Sequence, residues 1–337
     1  MSRVRATIRD VAARAGVSHQ TVSRVINNNG RVSPETRDRV QRAIAELRYS
    51  PNAIARSMAE GRTRNLACLS PNLTDYTFAS IIEGAVSEAW RHGYLLYCSP
   101  APETSAFAML VEDLIESGRT DGLMVINPYM DGRYLFLPEG FPVVFVGARP
   151  RAEAASSVAL HDEDAGRVAT EHLLAIGRTR IAMITGPHNE DCVTDRHTGY
   201  HAALSAAGIP LATDLIVEGD WSATSGYDGF IQLAGRANPP DAIFAQNDRM
   251  AIGVLRAARE LGLRVPEELA VIGVDGTPLS AYSDPPLSTM RQDMFGMGQQ
   301  AVQLLIQALE HPEQPAVHLQ LPAELVVRQS TCSDPNS

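Results

Sequence analysis

A chain of 337 residues is too long for one ordinary core and suits two or three domains. Hydrophobic residues make up 45% and charged ones 20%, which excludes a disordered chain, and no run of eighteen apolar residues is present, which excludes a helical membrane span. The net charge of −10 joins two unlike parts: residues 1–64 hold thirteen Arg against five acids, and residues 65–337 hold sixteen Arg against thirty-four.

That division marks a small cationic module, at +8, on an acidic body. The module can neutralise phosphates and release their counterions, while the body is repelled from a duplex. Met1-Ser2-Arg3-Val4-Arg5 leads into polar sequence without the apolar stretch of a signal peptide, so a cytoplasmic protein is expected. Cys68, Cys98, Cys192 and Cys332 are widely spaced with no CxxC pair, as expected of free thiols in a reducing compartment.

Ile8, Val11, Ala12 and Ala15 recur at helical spacing, and Gly16 is placed to end that helix in a left-handed turn. Val17 turns inward and Ser18 caps a second helix over 19–27, whose buried stripe is Val22, Val25 and Ile26. Its other face carries His19, Gln20, Thr21, Ser23, Arg24 and Asn27, side chains that reach base edges and phosphates in a major groove. Two short helices joined across a glycine turn form a helix-turn-helix. Ser33-Pro34-Glu35 starts a third helix with Val40, Ile44 and Leu47 inward. Ser50-Pro51 opens a short segment, Asn52 to Ala59, ended by Gly61. A helix of about nine residues is marginal alone, so this one orders only against a partner and is a candidate switch. The competing reading is a plain helical domain with solvated polar faces. Turn, polar face, charge and marginal fourth helix agree on DNA instead.

From Leu66 the pattern alternates strands and helices. Strands are predicted at 66–69, 94–98, 122–126, 143–146, 180–184, 242–245 and 269–274, with helices at 78–92, 165–176 and 250–261 between them. Such alternation implies parallel sheets covered on both faces, with ligands beyond the carboxyl ends of the strands. No glycine-rich dinucleotide fingerprint, P-loop or nucleophile elbow follows any strand, which removes the usual support for an enzyme and leaves no cofactor implied. Polar and aromatic residues just after strands are Asn72, Phe78, Arg196 (at a helix opening), Trp221, Asn247 with Asp248, and Asp275. They suit a sugar: charged and amide groups fork onto vicinal hydroxyls while an indole covers the apolar ring face. Each has an alternative: Asp275 and Asn247 as helix caps, Trp221 as core, Arg196 paired with Asp195 or Asp191. His188, Cys192, His197 and His201 lack a closed zinc spacing, and His161-Asp162-Glu163-Asp164 reads as an acidic first helical turn, so no metal is expected.

Thr7-Ile8-Arg9-Asp10-Val11-Ala12 and Gly16-Val17-Ser18-His19-Gln20-Thr21-Val22-Ser23-Arg24-Val25-Ile26-Asn27 resemble the signature of the LacI/GalR family of sugar-responsive regulators, and Tyr49-Ser50-Pro51-Asn52-Ala53-Ile54-Ala55 resembles its hinge helix. The resemblance runs over nearly the whole chain. It implies an all-α helix-turn-helix head plus an α/β periplasmic-binding-protein-like core of two doubly wound parallel-sheet subdomains. It also implies that His19, Gln20 and Arg24 read bases, and that Thr7, Ser18, Thr21, Ser23, Asn27, Ser33 and Asn52 hold the DNA backbone. Ala55 and Met58 join the DNA-binding set from the hinge. Met58 stands where the family usually has Leu as a minor-groove wedge, and its alternative is helix packing. The Arg of Arg196-x-x-Gly199 and the Asp of Gly273-Val274-Asp275 correspond to sugar-binding positions. Glu218-Gly219-Asp220-Trp221-Ser222 matches a stretch whose Trp stacks on a galactoside in one member. That member has an Asp after the strand at 143–146, where this chain has Gly147, so the sugar stays open.

The expected organisation is a helix-turn-helix domain at 1–50, hinge helix and linker at 51–64, an effector-binding and dimerisation core at 65–330, and a polar tail at 331–337. Within the core, one subdomain covers about 65–161 plus 293–320 and the other about 162–292 plus 321–330. The tail lacks heptads, so a homodimer without a tetramerising helix is expected. The functional expectation is a repressor of carbohydrate-utilisation genes that binds double-stranded operator DNA under control of a small sugar or glycoside, with no membrane partner. Alternatives are a regulator answering a non-sugar metabolite such as a purine, and a stand-alone sugar-binding protein.

Overall fold

A computed structural model describes residues 6–26, 30–49, 61–147, 149 and 155–332. Asn27 and the predicted hinge residues Asn52, Ala55 and Met58 lie outside the described residues, as does the tail from Ser333. The chain divides after Thr63 into two compact units.

The first unit holds α1 (Ile8–Ala15), α2 (His19–Ile26) and α3 (Pro34–Leu47). Thr7 and Asp10 form a reciprocal capping box on α1, satisfying two otherwise orphan amides. Gly16 ends α1 at φ 64°, a left-handed conformation that costs a residue without Cβ little. Ser18 Oγ accepts from the Thr21 amide at 3.1 Å and Ser33 Oγ from the Thr36 amide at 3.3 Å, so both cap their helices. Val11, Ala15, Val22, Val25 and Val40 pack as the shared core.

The second unit contains two six-stranded sheets. Strands β1 (Asn65–Ser70), β2 (Leu95–Pro100), β3 (Gly122–Ile126), β4 (Val143–Val146), β5 (Ser156–Leu160) and β11 (His318–Leu321) make the first, in the all-parallel order β11-β5-β4-β3-β1-β2. The second follows the order β12-β10-β9-β8-β6-β7, from β6 (Ile181–Thr185), β7 (Ile216–Glu218), β8 (Ala242–Ala245), β9 (Ala270–Asp275), β10 (Ser288–Gln292) and β12 (Ala323–Val326). Only β12 runs antiparallel, against β10.

Alternate residues of each buried strand face different helices. Leu66, Met124 and Val144 pack on α4 (Tyr76–Arg91) and α10 (Met294–Glu310), while Ala67, Leu123 and Phe145 pack on α5 (Thr104–Glu116). In the second sheet Ile243 and Val271 meet α8 (Ala223–Ala234) and α9 (Asp248–Glu260); Phe244 and Ile272 meet α6 (Asp162–Ala175) and α7 (Asp191–Ala206). Pairs of helices touch backbone to backbone at glycines: Gly84 and Gly298 between α4 and α10, Gly166 and Gly199 between α6 and α7, Gly226 and Gly253 between α8 and α9. The chain passes between subdomains three times, at His161, Asp293 and Pro322.

Candidate functional site

The carboxyl ends of both sheets face one cleft, which holds a cavity of about 240 Å³. All six core residues singled out in sequence line it: Asn72 after β1, Phe78 in the first turn of α4, Arg196 in α7, Trp221 after β7, Asn247 after β8 and Asp275 at the end of β9. Arg196 sits in the second turn of α7 rather than at its opening, because the helix starts earlier, at Asp191.

Arg196 is 4% exposed. Its Nε and Nη2 donate to Asp162 Oδ1 at 2.8 and 2.7 Å, and its Nη1 donates to the Gln246 carbonyl. The expected alternatives for its partner fall away, since Asp195 pairs with Arg149 and Asp191 accepts from the Arg149 amide at 3.1 Å. Burial alone would lower the guanidinium pKa; the Asp162, Cys192 and Asp275 groups outweigh that and raise it, so the charge is fixed. Arg196 can reach Asp162 because Gly166 and Gly199 let the two helices meet at their backbones. The glycine of the Arg-x-x-Gly motif therefore serves packing.

Trp221 adopts φ 69°, a strained conformation for an aromatic residue of the kind that gathers at functional sites. Its Nε1 donates to Glu190 Oε1 at 3.0 Å, and its ring lies 5.9 Å from the Arg196 Cζ and closes over Gly186, where a Cβ would overlap it. Trp221 is half-buried: it packs against the core of the second sheet, as the core alternative has it, and it also lines the cavity. For Asn247 the cap reading and the cleft reading are both right: Oδ1 accepts from the Met250 amide at 2.8 Å and Nδ2 donates to the Trp221 carbonyl at 3.1 Å.

Asp275 ends its strand at φ 116° and is 9% exposed, and no donor reaches its carboxylate among the described residues. Burial pushes its carboxyl well above the ordinary range, and neighbouring Asp248 adds to this. Asp248 itself does not line the cavity. It is fully buried and accepts from the Thr277 amide at 2.7 Å, Thr277 Oγ1 at 3.0 Å and Thr289 Oγ1 at 2.6 Å, a structural duty. Burial raises its pKa from 3.8 to about 6. The folded chain thus holds this proton more tightly than the unfolded one, and the associated stability is full below pH 3.8 and lost as pH rises through about 6. Urea unfolding at pH 5 and pH 7 should therefore show wild type losing about 1 kcal/mol relative to Asp248→Asn at the higher pH.

Several cleft residues escaped sequence reading. Asp162, taken only as an acidic first helical turn, is the Arg196 partner. Glu190 and Tyr129 line the cavity and are joined by a backbone bridge between the subdomains. Asp75 Oδ2 accepts from Arg249 Nη2 at 2.7 Å, linking the cap of α4 in one subdomain to α9 in the other. No local pattern marks these residues, because their roles come from partners more than thirty positions away. Among the described residues no three His, Cys, Asp or Glu side chains gather to hold a metal ion, and no helix is long and apolar enough to cross a membrane.

In the first unit, His19, Gln20 and Arg24 are exposed on α2 opposite Val22 and Val25, and Thr21 and Ser23 are half-buried. Thr7, Ser18 and Ser33 each stand at a helix N-terminus, where amides and dipole favour an anionic phosphate.

The profile of bacterial regulatory proteins of the lacI family matches residues 7–52, and that of the periplasmic binding protein-like domain matches 170–331. The chain is 32% identical over 334 residues to the HTH-type transcriptional repressor PurR of Haemophilus influenzae, covering 97% of this chain and 99% of the relative. The PurR repressor of Vibrio vulnificus is also 32% identical, with 96% and 98% covered. Among solved structures, the Lac repressor dimer bound to operator and the anti-inducer ONPF superposes with a TM-score of 0.89 at 33% identity, covering 97% of this chain and 99% of that one. The transcriptional regulator CelR–cellobiose complex gives 0.74 at 33% identity, covering 97% and 100%. With a helix-turn-helix head, a two-sheet cleft core and such identities over nearly its full length, this chain belongs to the LacI family and is a DNA-binding transcriptional repressor, not an enzyme.

Proposed function

We propose that this repressor holds operator DNA through α2 as a homodimer and that a small sugar or glycoside bound in the core cleft sets the strength of that hold. The regulated genes, on this reading, serve carbohydrate utilisation. His19, Gln20 and Arg24 meet base edges, with Thr21 and Ser23 beside them and the capped N-termini at Thr7, Ser18 and Ser33 on phosphates. Asn27, Asn52, Ala55 and Met58 complete the DNA set from outside the described residues. Effector binding changes the angle between subdomains and so the hold on DNA, with a coupling typically about 1–3 kcal/mol.

The observation that carries the effector reading is the Trp221 indole laid over Gly186 beside Arg196, Asn247 and Asp275 in one small cavity. An aromatic platform ringed by hydrogen-bonding groups fits a pyranose. Structures of two similar proteins, the transcriptional regulator CelR and the Lac repressor, are described as complexes with cellobiose and with ONPG. A purine is the second reading, favoured by Phe78 and Trp221 both lining the cavity, since two aromatic side chains also suit a planar base. Pairing of two copies is supported by exposed apolar side chains on α4 and β2, with Trp90 72% and Tyr97 56% exposed, and by Tyr282 at 86%.

Two measurements test this. In a gel shift at fixed salt, Arg24→Ala should weaken operator binding about tenfold or more, and unchanged binding would remove α2 from the interface. A thermal-shift panel of saccharides and purines should show stabilisation by a saccharide that Asp275→Ala abolishes; a response to purines alone would replace the sugar.

A further inference from the structure

The ionisable groups lining the cleft are unequal in sign. Five carboxylates, Asp75, Asp162, Glu190, Asp220 and Asp275, stand against two guanidinium groups, Arg196 and Arg249. Both guanidinium groups are engaged, Arg196 by Asp162 and Arg249 by Asp75, each at 2.7 Å. Asp220 is exposed and turned into its own loop, accepting from the Ser222 amide at 2.9 Å. Among the described residues Glu190 and Asp275 form no ion pair, and the nearby Arg196 acts on both only through space. They are 8% and 9% exposed, and among the described residues the one donor reaching either is the Trp221 indole on Glu190 Oε1.

We propose that the cleft selects its ligand by charge, taking neutral or ammonium-bearing saccharides and refusing phosphorylated or acidic ones, with Glu190 as the residue that sets this choice. This rests on the sugar reading above and narrows it. Two buried carboxyls held in no ion pair favour hydrogen-bond donors from the ligand, and hydroxyl or ammonium hydrogens supply them. A phosphate brought to the same place has no free guanidinium to meet it. To bind, it must break an Arg–Asp pair or endure like-charge repulsion in a low-dielectric site. Burial already holds the Glu190 carboxyl above its usual range, with nearby Asp75 adding to this, so further negative charge is poorly tolerated. The indole bond fixes Glu190 beside the proposed sugar platform and leaves Oε2 for the ligand.

The test is calorimetric titration of the full chain with glucose, galactose and cellobiose, each beside its amino and 6-phosphate forms. The neutral or amino form should bind at least about tenfold more tightly than the phosphate, and Glu190→Gln should narrow that ratio by about tenfold, mostly by improving phosphate binding. Asp275→Asn is a second variant that should narrow the ratio should Glu190→Gln misfold. A phosphate form binding as tightly as its neutral parent in wild type overturns the proposal, and a ratio unmoved by either variant overturns the assignment to these carboxylates. If no saccharide binds but purines do, the sugar reading falls and the charge rule is decided on nucleosides against their monophosphates. Discrimination against the monophosphate then upholds it, and equal affinity overturns it.

Discussion

Arg196→Ala is expected to abolish effector binding and to lower core stability by about 3–5 kcal/mol, the cost of leaving one member of a buried ion pair alone. The losses have different origins. Stability falls because, among the described residues, Asp162 would keep only the Gln292 Nε2 contact at 3.3 Å while staying largely buried. Binding falls because the guanidinium is a wall of the cavity and supports the Trp221 ring. A double variant, Arg196→Met with Asp162→Leu, separates them: it should regain most of the melting temperature while remaining blind to ligand. If it binds saccharide normally, Arg196 has no place in recognition.

Gly199→Ala should be nearly as harmful, although it adds one methyl group. The new Cβ would lie 2.6 Å from the Arg167 amide nitrogen and overlap the Glu163 carbonyl, both rigid backbone. The helices would have to part, and overpacking of this kind costs about 1–3 kcal/mol or more. Because α6 carries Asp162 and α7 carries Arg196, the same separation pulls the ion pair apart. The expected result is a lower urea midpoint together with weaker effector binding. Gly235→Ala, on an open helix end, should be close to neutral in both assays and serves as the control.

The legibility of this molecule in its sequence follows the range of the forces involved. The head was legible because caps and turns act over three or four residues: α1 runs over the predicted Ile8–Ala15 and Gly16 takes the predicted left-handed turn. Strands with continuous apolar composition, such as Val143–Val146 and Ala242–Ala245, were read to the residue. β10 was not, although Ser288, Thr289, Met290 and Gln292 are buried. Its polarity is satisfied from afar, with Thr289 bonding Asp248 and Ser288 bonding Thr331 and the Arg328 carbonyl. Edge strands β11 and β12 are short and half-exposed, so they carry little apolar signal. In the cleft, residues beyond strand ends could be found by rule, while Glu190, Asp162 and the Asp75–Arg249 pair depend on tertiary approach.

The triple passage of the chain between its two sheets means that neither lobe is a contiguous piece of polypeptide. A fragment stopping near Leu160 would lack α10 and β11, leaving the face around Gly84 bare and β5 with an open flank. A fragment beginning at Asp162 and stopping before Ala323 would lose the antiparallel border of its own sheet and carry α10 without a seat. Halves of this core therefore cannot be traded between proteins by a single cut: a chimera needs three junctions, placed at the connecting residues near 161, 293 and 322.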